Sequence, residues 1–274
     1  MFAGDFRQTL PIDLHASRAQ IINSLLHKSP LFRRVKVFEL EENMRAVQLL
    51  DDAADEDERR RILYWSSWLR QLGDGDLVNA EGLVRLHSAQ CRRMQTAADL
   101  QGMLDNVYDD IPGAENYEYW AERAIVAARH QTVDLINQLM LDRLPGDEVV
   151  ARSLDQQDDD NHEIRVPEEF LNRQRPPNMP PHDLRLKRGA VVILLRNLRR
   201  EDGLVNGTRM IIEQIRYYGR APGLLICRIL TGRGQGKRVI IPRILLRSSA
   251  DRHPWVWSRR QFPVKLAYCM YVGV

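Results

Sequence analysis

The chain has 274 residues, of which 44% are apolar and 28% are charged. This composition supplies enough apolar residues for a core of ordinary size and excludes an intrinsically disordered chain or a fibre. The longest uninterrupted apolar stretch, residues 190–195, is far shorter than the roughly 20 residues of a membrane-spanning helix. The three cysteines are widely separated, so cysteine alone builds neither a disulfide framework nor a four-ligand zinc site. We therefore expect a soluble intracellular protein.

Charge is distributed unevenly along the chain, although the formal net charge at pH 7 is only +3. Residues 182–274 contain 19 Lys and Arg and 5 Asp and Glu, which gives +14, whereas residues 1–181 contain 21 and 32, which gives −11. A positive excess of this size predicts a polyanionic partner for the C-terminal third.

The first predicted elements are a strand and a helix. Residues 1–3 are expected to end a buried strand that leads into a turn. Ser17 and Gln20 have the spacing of a capping box, which predicts a helix that buries the apolar residues of 21–26 and ends at Ser29-Pro30.

A second strand and a long helix are predicted next. Residues 35–38 favour a short strand, and apolar residues at helical spacing over 64–72 favour a helix with a buried aromatic face and Gly73 as its C-cap. His87 and Cys91 also have helical spacing. Without a third ligand nearby, coincidence explains this pair better than a metal site does.

The middle of the chain repeats the order of strand and helix, with a strand predicted over 122–129 and a helix over 132–141. This order is typical of α/β proteins. A proline-rich stretch at 175–181 follows, at the point where the sign of the charge changes, and we place a subdomain boundary there.

Four short β-like runs follow the prolines, separated by turns that contain Gly, Pro or Asn-Gly. They are residues 190–195, 208–215, 224–230 and 238–241. This pattern predicts a small antiparallel barrel or sheet that carries much of the positive charge.

Common catalytic motifs are absent from the 274 residues. They contain no phosphate-binding loop of the form G-x-x-x-x-G-K-[ST], no G-x-G-x-x-G, no H-E-x-x-H and no G-x-S-x-G. The residue pattern alone therefore predicts an α/β protein with a basic, β-rich C-terminal module suited to binding nucleic acid.

A series of short motifs in a fixed order is more specific than any single pattern. They include residues 3–12 (AGDFRQTLPI), 42–45 (ENMR), 122–127 (ERAIVA), 153–155 (SLD), 167–172 (PEEFLN), 186–189 (LKRG), 203–209 (GLVNGTR), 241–244 (IPRI) and 259–264 (RRQFPV). The first closely resembles the third helicase motif of the Pif-type DNA helicases. This superfamily-one group includes the helicase module of Helitron transposons, and the resemblance continues through the later motifs.

The resemblance implies an α/β fold of partial RecA-like motor domains with an inserted small antiparallel β-barrel of SH3-like form. It divides the chain into a remnant of the first motor domain (1–45), a linker with part of the second (46–175), the inserted barrel (176–246) and a return to the second motor domain (247–274). The resemblance begins in the middle of the motor and stops before the fifth motif. We therefore expect part of a helicase, from a truncated gene model or a decayed transposon copy.

ATP and Mg²⁺ are the cofactors that the resemblance implies, with no magnesium ligand in this chain. Gln8 matches the glutamine of the third motif, which lies at the nucleotide and helps to couple phosphate state to DNA grip. Arg45 matches the fourth-motif arginine, whose guanidinium approaches the γ-phosphate. Without the phosphate-binding lysine, the isolated chain is expected to be catalytically incompetent.

The resemblance also implies a five-prime to three-prime translocase that acts on single-stranded DNA or DNA junctions, as a monomer without a membrane partner. The basic residues expected to supply phosphate contacts in the inserted barrel are Lys187, Arg188, Arg196, Arg199, Arg200, Arg209, Lys237 and Arg238. A DNA substrate implies the nucleus, with the mitochondrion as the alternative.

Two other interpretations stay open at this stage. One is a non-enzymatic remnant that binds single-stranded nucleic acid through the basic module alone. The other is a remnant that does not fold, because a first motor domain without most of its sheet leaves an apolar edge exposed.

Overall fold

The structure, a computed structural model, describes residues 16–38, 40, 42–86, 94–109, 111, 116–158, 165–176, 179–232, 234–248 and 256–271. Within these ranges the chain forms seven α-helices, two short 3-10 turns and twelve β-strands. They belong to two compact units, residues 1–95 and residues 96–273.

The N-terminal unit is helical in its described part. Its elements are α1 (Arg18–Ser24), the 3-10 turns Leu26–Lys28 and Phe32–Arg34, α2 (Met44–Asp51) and α3 (Glu56–Asp74). The predicted capping box of α1 is confirmed, since the Ser17 hydroxyl accepts from the Gln20 N–H at 3.4 Å and the Gln20 amide oxygen accepts from the Ser17 N–H at 2.7 Å. The long predicted helix is also present as α3, but Gly75, with φ of 85°, caps it instead of Gly73.

Other expectations for this unit are wrong. Residues 35–38 form no strand, because no neighbouring strand in the described part offers them a ladder, and Phe38 is 77% exposed. The apolar side chains expected in a core also face solvent, with Leu26 at 62% and Trp65 at 41% exposure. None of the residues described between 16 and 95 is buried. The strand predicted over residues 1–3 lies outside the described residues.

The C-terminal unit contains the remaining helices and every strand that the structure describes. The helices are α4 (Ala97–Val107), α5 (Tyr117–Glu122), α6 (His130–Arg143) and α7 (Glu168–Arg173). The strands are β1 (Ile125–Ala127), β2 (Val149–Arg152), β3 (Leu154–Gln157), β4 (Asp183–Leu186), β5 (Val191–Leu194), β6 (Arg209–Tyr218), β7 (Ala221–Ile229), β8 (Arg238–Pro242), β9 (Ile244–Arg247), β10 (Trp257–Gln261), β11 (Val264–Leu266) and β12 (Cys269–Tyr271). The strand and helix predicted in the middle of the chain are confirmed as β1 and α6.

An antiparallel sheet of order β11-β5-β6-β7-β8 dominates this unit. Its consecutive strands β5 to β8 confirm the four β-like runs, and each pairs with the next one along the chain. Alternate residues of β7, including Leu225 and Cys227, are buried, as expected where one face of a sheet covers a core. Over the described residues the order is open, with β11 and β8 at the edges, so a closed barrel stays a prediction.

Three smaller ladders surround this sheet. Strands β3, β10 and β9 pair in that order, β2 pairs with β4, and both sets are antiparallel. Strand β12 pairs with β1 in parallel, which is the arrangement expected of an α/β layer covered by α6. The structure therefore shows a mixed α/β unit with a large antiparallel component.

An aromatic cluster and an amide hold the core near β12. Tyr108, Trp120 and Tyr268 are each at most 2% exposed and contact one another edge-on or at a tilt. The Asn137 amide of α6 accepts from the Tyr268 and Cys269 N–H groups and donates to the Cys269 carbonyl, each at 2.9 Å. This side chain thus satisfies backbone groups of β12 in the way that a neighbouring strand would. No helix in the described part is long and apolar enough to cross a membrane.

Candidate nucleic-acid interface

The two residues predicted to contact the nucleotide are described only in part. Gln8 lies outside the described residues. Arg45 is the second residue of α2, a helix whose N-cap Asn43 accepts from the Ala46 N–H at 3.2 Å. The motif at 42–45 is thus a helix start, whereas the Arg45 side chain lies outside the description. Both nucleotide roles stay predictions.

No metal position is present in the described part of the chain, where no group of three or more His, Cys, Asp and Glu side chains could hold an ion. The pair His87 and Cys91 lies outside that part. ATP and Mg²⁺ consequently stay predicted cofactors, with Gln8 and Arg45 as the residues expected at the nucleotide.

Two of the eight predicted phosphate contacts are buried. Lys187 is 9% exposed, and its ammonium donates to the Leu144 carbonyl at 2.8 Å. Arg209 is 5% exposed, and its guanidinium donates to the carbonyls of Arg123 at 2.8 Å and Ala267 at 3.3 Å. Burial lowers the pKa of Arg209. These cations join separate parts of the backbone, so they do not present their charge to a ligand in this structure.

Two more of the eight are exposed but have acidic partners. Arg199 pairs with Asp202 at 3.1 Å. Arg238 shares the Glu213 carboxylate with Arg228, whose Nε donates to it at 2.7 Å. Burial raises the pKa of Glu213, but hydrogen bonds from Arg238 and Arg228 outweigh it, so the pKa of this carboxyl is lowered. Part of this positive charge is therefore neutralised within the chain.

The remaining four of the eight reach solvent without an acidic partner among the described residues. They are Arg188, Arg196, Arg200 and Lys237, of which Arg196 is half-buried and the others are exposed. A cation without a partner gives up no ion pair when it binds a phosphate, so these four are the best suited to bind an anion.

Three of these four lie on two loops that touch. We call residues 195–208, between β5 and β6, and residues 230–237, between β7 and β8, the basic loop pair. A Cβ atom at Gly234 would lie 2.7 Å from the Asp202 carbonyl oxygen, which shows how closely the loops approach. Within the first loop the Thr208 hydroxyl donates to the Gly203 carbonyl at 2.8 Å. The two loops therefore bring Arg196, Arg200 and Lys237 to the same end of the sheet.

An exposed aromatic pair at the opposite end of the sheet was missed by sequence reasoning. The turn between β6 and β7 carries Tyr217 and Tyr218, which are 50% and 67% exposed. Arg216 and Arg220 flank them, and both are exposed. The available signal was two tyrosines between arginines beside a turn glycine, Gly219, whose φ is 61°.

A buried charge cluster lies below the proline-rich stretch. Arg259 of β10 and Asp155 of β3 have side chains that are 0% exposed, and two guanidinium nitrogens meet the two carboxylate oxygens at 2.9 and 2.6 Å. Arg259 also donates to the carbonyls of Leu171, Gln174 and Pro180, at 3.0, 3.2 and 2.9 Å. We call Arg259 and Asp155 the buried clamp, because one side chain holds α7 and the prolines against β3.

Ser153 and His182 extend the buried clamp but do not form a catalytic triad with Asp155. The Ser153 hydroxyl donates to Asp155 at 2.6 Å, so the His182 Nδ1, 2.8 Å away, must act as donor to the serine oxygen. A nucleophilic serine needs the reverse arrangement, with its proton directed at the histidine. A cleft of about 380 Å³ beside His182 has both acidic and basic residues in its wall, including Glu169, Arg173 and Asp183. The cluster is structural.

Two family models match the chain. The model of PIF1-like helicases matches residues 1–82, and the model of the 2B domain of the DNA helicase Pif1 matches residues 169–215. In these two segments the chain is similar to Pif1-type helicases. The 2B match runs from α7 through β4 and β5 into β6, so it includes the first loop of the basic loop pair. The similarity to the Pif1 2B domain is limited to residues 169–215 and stops within β6.

Solved Pif1 structures resemble the chain over part of its length. The Pif1 helicase from Candida albicans is 22% identical, with 64% of this chain and 44% of that chain covered and a TM-score of 0.42. Unliganded Pif1 from Bacteroides sp is 17% identical, with 58% and 43% covered and a TM-score of 0.38. Bacteroides Pif1 bound to ssDNA is 17% identical, with 65% and 40% covered and a TM-score of 0.37. The chain spans less than half the length of these Pif1 structures. No curated protein matches it.

Proposed function

We propose that the chain is part of a Pif1-type ATP-dependent DNA helicase that translocates from five-prime to three-prime, and that its basic sheet grips single-stranded DNA. The observation that carries this proposal is the basic loop pair, where Arg196 and Arg200 lie within the segment similar to the 2B domain and, like Lys237, have no acidic partner among the described residues. The family matches support the helicase assignment, and the net charge of +14 over residues 182–274 supports a polyanionic partner.

The proposed grip is electrostatic and independent of base sequence. Each phosphate that a cation neutralises releases a counterion, so the logarithm of affinity falls with the logarithm of salt by about 0.7 per phosphate on single strands. Arg196, Arg200 and Lys237 are proposed to supply such contacts from the basic loop pair, and Arg188 from the turn before β5. A site of this kind holds a strand in place while allowing it to slide.

The nucleotide chemistry of the proposed helicase requires residues beyond the basic sheet. In this proposal Gln8 responds to the γ-phosphate through its amide, which both donates and accepts, and Arg45 approaches the same phosphate as a charge-stabilising guanidinium. The 274 residues contain no phosphate-binding loop, and we propose that they hydrolyse no ATP by themselves. DNA-stimulated ATP hydrolysis by the purified chain would contradict this part.

The domain division belongs to the same proposal. Residues 1–45 are proposed to come from a first RecA-like motor domain and residues 46–175 from a linker and part of a second. Residues 247–274 are proposed to return to the second motor domain, with 176–246 as the accessory insertion. The parent helicase is proposed to act in DNA repair, recombination or transposon replication, in the nucleus.

The DNA grip is tested by fluorescence anisotropy of a labelled dT oligonucleotide over a range of salt concentrations. We expect the double variant R200A/K237A to reduce the salt slope by about 1.4, that is, by two phosphate contacts. The matched control is R199A, because Arg199 already has Asp202 as a partner, and it should change the slope less than either single variant. Absence of binding at low salt, or an unchanged slope for the double variant, would overturn the proposal.

A further inference from the structure

The hairpin formed by β6 and β7 extends beyond the strands beside it. The last pairing of β6 with β5 is at Ile211, and the pairing of β7 with β8 reaches Leu224. Residues 217–222 therefore have no lateral neighbour in the described ladders. Strand β6 is ten residues long, which places this tip roughly 30 Å from the start of the strand beside the basic loop pair.

Within this tip the edge of the Tyr218 ring lies against Gly223. Tyr218 is paired with Ala221, and Gly223 is the extra residue of β7 at the register shift between the Arg216–Leu224 and Tyr217–Pro222 pairs. A Cβ atom at position 223 would lie 2.0 Å from Cδ2 and 2.9 Å from Cγ of the tyrosine ring. Only glycine leaves room for the ring in this position. The Cδ2 edge of the ring thus lies against Gly223, while the side chain as a whole stays 67% exposed.

The charge around this ring is positive. Residues 214–250 contain no Asp or Glu but eight Lys and Arg. Arg216 lies two residues before Tyr218 on the same strand, hence on the same face, and Arg220 is in the turn. Neither arginine has an acidic partner within the residues that the structure describes. An exposed aromatic ring flanked by arginines without a described acidic partner suits a ligand that carries both flat rings and negative charge.

We infer that Tyr218 is a stacking platform for an unpaired base of single-stranded nucleic acid, with Arg216 and Arg220 binding the phosphates on either side. This inference rests on the proposed function and adds a second contact at the far end of the sheet. Bases in a duplex do not offer their faces, so the platform selects single strands. Aromatic stacking accepts every base, so it adds no sequence preference.

The test compares two oligonucleotides of equal length and charge, dT and a fully abasic strand, by anisotropy at fixed salt. We expect Y218A to weaken binding of dT by about 5- to 150-fold, the range for loss of one base stack, and to leave binding of the abasic strand unchanged. G223A should act in the same direction, because it displaces the ring without removing it. Y218F keeps the ring and should bind as the wild type does. Y217A is the matched control, since Tyr217 points to the other face.

The outcomes separate this inference from the proposed function. Two outcomes would contradict the platform. One is that Y218A binds dT as tightly as the wild type does, and the other is that Y218A loses the same factor in affinity for the abasic strand or a blunt duplex. Neither outcome would affect the salt-slope test of the basic loop pair. If the wild-type chain binds neither oligonucleotide at low salt, both ideas fail. Because Tyr218 is exposed at a hairpin tip, Y218A is expected to fold, and an unchanged circular dichroism melt verifies this.

Discussion

Lys187 and Arg200 carry the same charge, but their positions give that charge different consequences. The ammonium of Lys187 is buried and hydrogen-bonded to the Leu144 carbonyl, whereas Arg200 is exposed without a described acidic partner. Removing the Lys187 ammonium leaves a buried carbonyl without a hydrogen bond, which destabilises the folded state. Removing an exposed guanidinium leaves no buried polar group without a partner. The first residue should therefore affect folding, and the second should affect binding.

We expect K187M to lower the free energy of unfolding by about 1–3 kcal/mol, the cost of one unsatisfied buried polar group. The salt slope of DNA binding should not change. R200A should do the reverse, with wild-type stability and a slope reduced by about 0.7. Urea denaturation and anisotropy measure the two quantities. A reduced slope for K187M would show that its charge reaches the DNA.

Glu213 makes stability depend on pH in a predictable direction. Hydrogen bonds from Arg238 and Arg228 lower its folded pKa below the ordinary value of 4.5, despite its burial. Its contribution to stability is therefore complete above about pH 4.5 and is lost as pH falls through the folded pKa. We expect the urea midpoint of E213Q to lie below that of the wild type at pH 7 and to approach it in acid. A gap that widens in acid would contradict the assignment.

The buried clamp is the feature that connects the most elements, because it joins β3 and β10 to the end of α7 and to the prolines. We expect D155N to lower the free energy of unfolding by about 3–5 kcal/mol, because it leaves the Arg259 guanidinium buried without its counter-charge. The control is R152A, which breaks an exposed pair with Asp183 and should cost at most about 1 kcal/mol. Equal costs for the two variants would show that burial does not strengthen the clamp.

Prediction from sequence succeeded for elements whose signal is local. Strands β5 to β8 follow one another with turn glycines between them, and α6 has an apolar face at helical spacing. The pairings of β3 with β10 and of β1 with β12 join short segments that are far apart in the chain, and no local pattern encodes them. Local helical signals also predicted buried faces in α1 and α3, where the described neighbours supply no core.

The candidate site shows the same limit at the level of side chains. The sign of the charge on Arg209 and Arg199 can be read from sequence. Whether such a side chain is buried, or has an acidic partner, depends on tertiary contacts. The eight predicted phosphate contacts therefore include two buried cations and two that have acidic partners. The stacking residue was missed because its distinction from Tyr217 lies in the glycine across the hairpin, not in its neighbours along the chain.

The two units differ in how many of their described residues are buried. All buried residues in the described part belong to residues 96–273, where one cluster extends from α4 to β12. Helix α3, although it is 19 residues long, has no buried residue. Most of the stability of a helix in a protein comes from the packing of a buried face, which α3 lacks, whereas a packed sheet opens only with a large part of the global free energy of unfolding.

Hydrogen exchange measured by mass spectrometry on the full chain should therefore show slowly exchanging amides only after about residue 95. We expect amides of β6 and β7 to require about 5 kcal/mol or more for opening, a typical global free energy of unfolding, and amides of α1 to α3 to exchange through local fraying.

The D155N substitution should accelerate exchange in residues 171–182 more than in α3, because the clamp binds carbonyls of that segment. Protection of α3 equal to that of β6 would show that residues 1–95 possess a core of their own. The absence of any protected segment would instead favour a chain that does not fold, because the hydrogen-bonded amides of a packed sheet exchange slowly.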